Sequence, residues 1–261
     1  MITVDNISKT YGNRKVLDGL CFSAEGRKIT YVFGTSGGGK STMLKILIGA
    51  TAPDSGEVRY GDLDITALRG RSLDPYRKRI GVLFQNNALL NSLTVAENIA
   101  LPIREHTALD QNIVHIMVKM KLELVGLRDF EDLYPEQLSG GMQKRVALAR
   151  ALALDPEVVY FDEPTSGLDP IIASVITKLI KDLNRLLGIT CIVVTHAVHE
   201  AMKIADKIIL LYRGKVLAEG TPQEIRESAD PLVQQFITGS PDGPISFHAS
   251  SKDFRDDLLV G

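Results

Sequence analysis

Four short runs of alternating apolar and polar residues open the chain: Ile2–Ile7, Val16–Phe22, Lys28–Phe33 and Glu57–Tyr60. Gly12, Gly26 and Gly61 punctuate them, so each reads as a β-strand. A helix is expected from Lys40 to about Ile48, stopped by Gly49, a favourable residue just past a helix end. From about Gln85 to Leu152 the period lengthens to that of helices. Within Asp110–Val125, Ile113, Ile116, Met117, Met120 and Leu124 form a stripe expected to face the core or a subdomain interface.

Strand and helix then alternate, the pattern of a parallel sheet with crossover helices. Glu157–Phe161 and Thr190–Val194 read as buried strands, with a helix opened by Asp169-Pro170 and closed near Gly188 between them. A short helix should start at about Ala197, and Ile208–Tyr212 with Lys215–Ala218 reads as a hairpin around Arg213-Gly214. Thr221-Pro-Gln-Glu224 is a capping box that starts a small helix. Beyond Gly239 the composition shifts to Ser, Pro, Gly and Asp.

At 261 residues, 44% hydrophobic and 24% charged, the chain can bury the core of one large α/β domain with a subdomain. A formal net charge of −2 gives no electrostatic reason for a nucleic-acid partner. Arg69, Arg71, Arg77, Lys78 and Arg79 cluster locally and read as a solvated face. Cys21 and Cys191 lie in separate strand-like runs and are expected to be buried, reduced thiols of a reducing compartment. No apolar run reaches the ~18–20 residues needed to span a bilayer. Met1–Asp5 lacks the basic and apolar regions of a signal peptide. The expectation is a cytoplasmic chain whose membrane role comes through a partner.

The strongest chemical signal is Gly34-Thr-Ser-Gly-Gly-Gly-Lys40-Ser41, placed after the strand Ile29–Phe33 and at the start of a helix. Glycines there let successive backbone N–H groups point at phosphate oxygens, and the helix start adds partial positive charge. The nucleotide set is therefore Gly34, Ser36, Gly37, Gly38, Gly39, Lys40, Ser41 and Thr42. Lys40 suits the β- and γ-phosphates of ATP, and the Ser41 hydroxyl suits Mg²⁺. The plain alternative is a glycine-rich turn without a ligand.

Val158-Val-Tyr-Phe-Asp162-Glu163 puts two carboxylates at the end of a buried strand. Asp162 suits Mg²⁺, directly or through water, and Glu163 suits the general base that takes a proton from attacking water. Alone, the pair would read equally as acidic helix capping. Ser139-Gly140-Gly141 begins another helix, expected to run to about Leu154, where Ser139 can serve simply as N-cap. Two glycines at that start also leave the backbone bare for close approach to an anion.

Taken in order, these motifs resemble the nucleotide-binding subunit of ABC transporters over nearly the whole chain. The resemblance implies an α/β P-loop ATPase fold with a mostly parallel core sheet, an antiparallel β subdomain and a helical subdomain. It implies an ATPase domain over 1–239, its helical subdomain about 86–155, and a C-terminal extension over 240–261 that contacts a dimer partner. It further implies that Ser139, Gly140 and Gly141 meet the γ-phosphate held by the opposite copy in a homodimer. Gln85 matches a glutamine that senses Mg²⁺ and water, His196 a histidine at the γ-phosphate, and Tyr11 an aromatic stacked on adenine. Ser166-Gly-Leu-Asp169 matches a loop touching the partner. Singly, each has a bland reading: a surface glutamine, a structural histidine, a turn tyrosine. The segment from Asn86 to Val95 adjoins the groove that receives a coupling helix of the integral-membrane permease, of which two copies are expected; its leucines suit subdomain core equally well.

Ala100-Leu-Pro-Ile-Arg-Glu-His-Thr107 and the tail Asp242–Phe247, ending Asp256-Asp-Leu-Leu259, resemble the ATPases of Mla/Mce-type phospholipid transporters. That resemblance implies phospholipid trafficking between inner and outer membranes, from the cytoplasmic face of the inner membrane. It also implies a periplasmic Mce-domain protein and a small cytoplasmic STAS-domain protein. An importer of amino acids or metals is the rival reading, and a soluble ATPase acting on DNA or ribosomes a further one. One cassette without a coiled-coil insertion argues against the latter.

Overall fold

The computed structural model describes residues 1–245. The chain opens with β1 (Ile2–Tyr11), β2 (Arg14–Ala24), β3 (Ile29–Gly34), α1 (Lys40–Leu47), β4 (Ser55–Tyr60) and β5 (Leu63–Asp64). A one-turn α2 (Asp74–Arg77) precedes β6 (Ile80–Leu83). Three helices follow: α3 (Val95–His106), α4 (Gln111–Leu124) and α5 (Gly140–Ala151). Then come β7 (Val158–Asp162), α6 (Pro170–Leu187), β8 (Thr190–Val194) and α7 (Val198–Ile204). The hairpin β9 (Lys207–Tyr212) and β10 (Lys215–Gly220) leads to α8 (Pro222–Arg226) and α9 (Pro231–Thr238).

Two sheets organise these elements. A six-stranded sheet runs β10-β9-β3-β8-β7-β6, parallel except at the β9–β10 hairpin. A four-stranded antiparallel sheet runs β2-β1-β4-β5. The central strands are apolar throughout because both faces of the large sheet are covered. Alternate residues feed two cores. Val32, Tyr160, Ile192 and Leu211 pack with α1 and the antiparallel sheet, while Tyr31, Phe33, Phe161 and Val193 pack with α3, α4, α5 and α6.

The caps explain where the helices begin. Thr94 and Thr221 form reciprocal capping boxes with Glu97 and Glu224. Asp169 accepts from the backbone N–H of Ile171 and Ile172, with Pro170 at the first helical position. Gly188 closes α6 in the left-handed region at φ 64°.

Three expectations are corrected. The stripe on α4 does not face the core: Ile113, Ile116 and Met120 are 47%, 58% and 61% exposed. Val114, Val118 and Leu122 are buried instead, together with most of Lys121. The helix is apolar on two faces, and it is the i, i+4, i+8 set that is buried toward its neighbours α3 and α5. Met117 and Leu124 sit at the border, packed against that core. Cys21 is exposed, because on β2 it alternates with the buried Leu20 and Phe22; Cys191 is buried, and burial pushes its thiol pKa up. The helix after Ser139 also stops at Ala151, short of Leu154. Most of the segment 240–261 lies outside the described residues.

Candidate functional site

The parallel sheet delivers its chemistry at one edge. β3 leads into the glycine-rich loop, β7 ends at Asp162, β8 ends before Thr195-His196, and β6 ends two residues before Gln85. All four strands run in the same direction, so their carboxyl ends lie together, where ligands bind in open α/β sheets.

Arg14, Val16, Gly37, Gly38, Gly39, Lys40, Ser41 and Thr42 line a hollow of about 180 Å³ at the start of α1. Gly39 caps α1 at φ 101° with no side-chain cap, so the first N–H groups of the helix are not claimed by a side chain. A Cβ on Gly39 would meet Leu17 Cδ2 at 2.6 Å, and one on Gly34 would meet the Leu211 carbonyl oxygen at 2.4 Å. Gly34 therefore answers to the packing of β9, a role the motif alone does not reveal. Lys40 Nζ donates to the Gly34 and Thr35 carbonyls at 2.8 and 3.0 Å. Burial lowers its pKa, against the pull of Glu163 and Asp162. Ser36 and Ser41 are exposed, and Ser41 lines the hollow. Tyr11 is half exposed at the tip of β1, with Lys9 Nζ 5.6 Å from its ring centre.

Across the sheet edge, Asp162 is raised in pKa by burial first and by neighbouring Glu163 second, with Lys144 and Lys40 opposing. Glu163 follows in the left-handed region at φ 48°, a costly setting for a residue with a side chain. Its N–H donates to the Val194 carbonyl at 2.8 Å, which locks the turn against β8. One carboxylate oxygen lies 2.8 Å from His196 Nδ1, and the other accepts from the Thr195 hydroxyl at 3.0 Å. Glu163, His196, Asp162 and Lys40 thus come together. Gln85 Nε2 is 3.5 Å from the Ser166 hydroxyl, so the loops holding them are neighbours.

Ser139 accepts from Met142 N at 3.3 Å and so caps α5. Gly141 lies against α6, where a Cβ would meet Ile172 Cγ2 at 2.5 Å, whereas one on Gly140 would come no closer than 3.8 Å to Leu168. Within one copy, none of Ser139, Gly140 and Gly141 lines the hollow around Lys40.

Several residues escaped the motif reading. Arg14 and Val16 line the hollow. Lys144, 3% exposed, donates to the Gln85 carbonyl at 2.5 Å, and burial lowers its pKa. Arg150 donates to the Asn87 and Ala88 carbonyls at 2.8 and 2.7 Å. A basic residue set among the alanines and leucine of α5 is the one sequence signal for either; Lys144 is buried and Arg150 half-buried. A separate cleft of about 410 Å³ opens between β6, α3 and α5, lined by Ile80, Phe84, Leu101, Pro102, His106 and Arg150 among others. Of the leucines in the 86–95 segment, Leu89 packs against the core and Leu90 is 44% exposed; neither lines the cleft.

The glycine-rich loop, the carboxylate pair at the end of β7 and the capped Ser-Gly-Gly helix define a nucleoside triphosphatase. The family model for ABC transporters matches residues 17–166, and the chain belongs to the ABC transporter family of ATP-binding proteins. Along all of its length it is 44% identical to the intermembrane phospholipid transport system ATP-binding protein MlaF of Escherichia coli K12, spanning 97% of that protein. It is 45% identical over 99% of its length to MlaF of Haemophilus influenzae, spanning 98% of it. Among solved structures it is similar to a dimeric ATP-binding cassette in a post-hydrolysis state with ADP and phosphate. That match has 34% identity and a TM-score of 0.78, over 85% of this chain and 99% of that one. The chain is accordingly an ATP-binding, ATP-hydrolysing subunit. Among the described residues no helix is long and apolar enough to cross a membrane.

Proposed function

We propose that this ATPase powers phospholipid transport between two membranes, and that it works as a homodimer in which each ATP is held by both copies. Full-length similarity to MlaF supports the substrate class. The observation that carries the mechanism is the seating of Glu163 at the strand edge, its two oxygens held by Thr195 and His196.

Lys40 and the loop amides of Gly37–Thr42 hold the β- and γ-phosphates, and Tyr11 stacks on adenine. Ser41, Gln85 and Asp162 offer a hydroxyl, an amide oxygen and a carboxylate, the hard oxygen donors that suit Mg²⁺ beside phosphates. Magnesium would supply positive charge that offsets the charge developing on the transferred phosphoryl group. Glu163 accepts a proton from the attacking water, and His196 steadies both Glu163 and the γ-phosphate end. Ser139, Gly140 and Gly141 of the second copy close over the γ-phosphate, with Ser166–Asp169 at the junction.

Residues 1–239 form the ATPase body, with a helical part over about 86–155. The extension 240–261 reaches the dimer partner. The cleft beside β6 and α3 takes a coupling helix from an integral-membrane permease, two copies of which hold the dimer at the cytoplasmic face of the inner membrane. A periplasmic Mce-domain protein and a cytoplasmic STAS-domain protein complete the assembly. No nucleic acid takes part.

The test is Glu163→Gln. It should retain ATP binding and accumulate as an ATP-bound dimer on size exclusion with light scattering, with turnover reduced at least ~10²-fold, the usual worth of a general base. Turnover near the wild-type rate defeats the base assignment.

A further inference from the structure

Thr195 carries chemistry outside the roles assigned above. This residue is 2% exposed, and its backbone N–H donates to the Val32 carbonyl of β3 at 3.1 Å. It is therefore anchored to the strand that feeds the phosphate loop. Its hydroxyl has two partners: the Ala197 N–H at 3.0 Å and Glu163 Oε2 at 3.0 Å. The direction of both bonds follows from the donor inventory. Ala197 N–H can only donate, so the Thr195 oxygen accepts there; the hydroxyl has one proton left, and an ionised carboxylate can only accept it. The Thr195 proton thus points at Glu163.

The other hold on Glu163 is of a different kind. His196 is 70% exposed as a side chain, while Glu163 is 12% exposed. The imidazole therefore holds Glu163 from the solvent side, whereas Thr195 holds it from the buried side. Thr195, one residue past β8, is buried and tied to β3 through its own N–H, so its hydroxyl is held by the body of the fold. Glu163 also begins from a left-handed backbone at φ 48°, so its aim is not the one an ordinary strand end would give.

We propose that Thr195 is a positioning residue for ATP hydrolysis, whose hydroxyl clamps one oxygen of Glu163 and presents the other to His196 and the attacking water. The proposal rests on Glu163 being the base. A general base is effective only when its oxygen lies within hydrogen-bond reach of the proton it takes, so a carboxylate free to rotate loses rate while ATP binding is untouched.

The experiment compares Thr195→Val, Thr195→Ser and Glu163→Gln in the full-length chain, reading kcat, KM and ATP affinity. Thr195→Val keeps the shape and removes the hydroxyl; it should lower kcat about tenfold or more, with ATP affinity within twofold of wild type. Thr195→Ser, which keeps the hydroxyl, should stay within about threefold in kcat. A double-mutant cycle in single-turnover hydrolysis should show that Thr195→Val costs nothing further once Glu163 is Gln. Should Thr195→Val not fold, Thr195→Ala carries the same prediction. The clamp is overturned if Thr195→Val keeps kcat within threefold, if Thr195→Ser is as slow as Thr195→Val, if ATP affinity falls in step with kcat, or if the cycle is additive. If Glu163→Gln itself turns over normally, the base assignment fails. An inactive Glu163→Gln beside a wild-type Thr195→Val defeats the clamp alone.

Discussion

Gly140 and Gly141 are neighbours with opposite reasons to be glycine. A side chain on Gly141 collides with Ile172 on α6 at 2.5 Å, so that glycine lets two helices of one copy pack. A side chain on Gly140 meets nothing closer than 3.8 Å. No described residue of the subunit crowds that position, which leaves it open to a phosphate held by a second copy. Gly140→Ala should fold with wild-type or slightly higher stability, since Ala in a helix is favoured over Gly by up to about 1 kcal/mol. It should nonetheless lose most ATPase activity. Gly141→Ala should lower stability by about 1–3 kcal/mol, the range for overpacking. Thermal melts beside activity assays separate the two. Equal destabilisation by both would contradict this division.

Between elements, two polar clusters decide geometry that apolar burial leaves loose. Glu157, at the foot of β7, takes Arg79 at 2.7 and 2.9 Å and the Tyr60 hydroxyl of β4, with Arg79 stacked over the Tyr60 ring at 4.6 Å. This joins the parallel sheet to the antiparallel one. Arg79 first, then Tyr60, holds the Glu157 carboxyl below its ordinary value of 4.5. A depressed folded pKa means stability that is present above the unfolded value and lost as pH falls through the folded one. Glu157→Gln should therefore melt lower than wild type at pH 7, and the gap should close as pH drops below about 4.5. A gap that widens on acidification would contradict the linkage.

The second cluster is on α5. Asn87 and Ala88 stand consecutively in the left-handed region at φ 59° and 53°, and Arg150 holds both carbonyls. Lys144, six residues nearer the Ser-Gly-Gly start, holds the Gln85 carbonyl. The loop with Gln85 and the helix that begins at Gly140 are thus tied as one unit. Arg150→Ala should cost about 2 kcal/mol, the order of a charge-assisted hydrogen bond, and should expose the 86–91 segment to protease. Unchanged proteolysis would show that the loop keeps its shape without Arg150.

Across the molecule, legibility in the sequence followed the length scale of the signal. The strands of the parallel sheet alternate with helices and announce themselves by burial on both faces. The loop Gly34–Ser41 and the pair Asp162-Glu163 could be placed because strand and helix signals flank them. What single positions contribute across elements was not legible. The α4 helix carries two apolar faces, and periodicity alone does not say which one finds a partner. Gly34 reads as a phosphate glycine until Leu211 of β9 is seen against it. Thr195 precedes a histidine and carries no motif of its own; only the fold brings its hydroxyl to Glu163, 32 residues away in sequence.

Two copies that share two ATP sites make the nucleotide part of their own interface. Shifting such a pair from mostly open to mostly closed needs about 5.5 kcal/mol of differential binding. A few charge-assisted hydrogen bonds to a γ-phosphate, at roughly 1.5–3 kcal/mol each, are of that size. On the proposed scheme, hydrolysis with Glu163 as base removes them and lets the pair reopen. The most direct measurement is the ATPase rate per subunit of the purified chain against its concentration, with sedimentation reporting the monomer fraction in the same samples. Shared sites predict a specific rate that collapses on dilution as monomer replaces dimer. A fully monomeric sample that hydrolyses ATP at the undiluted specific rate would contradict them.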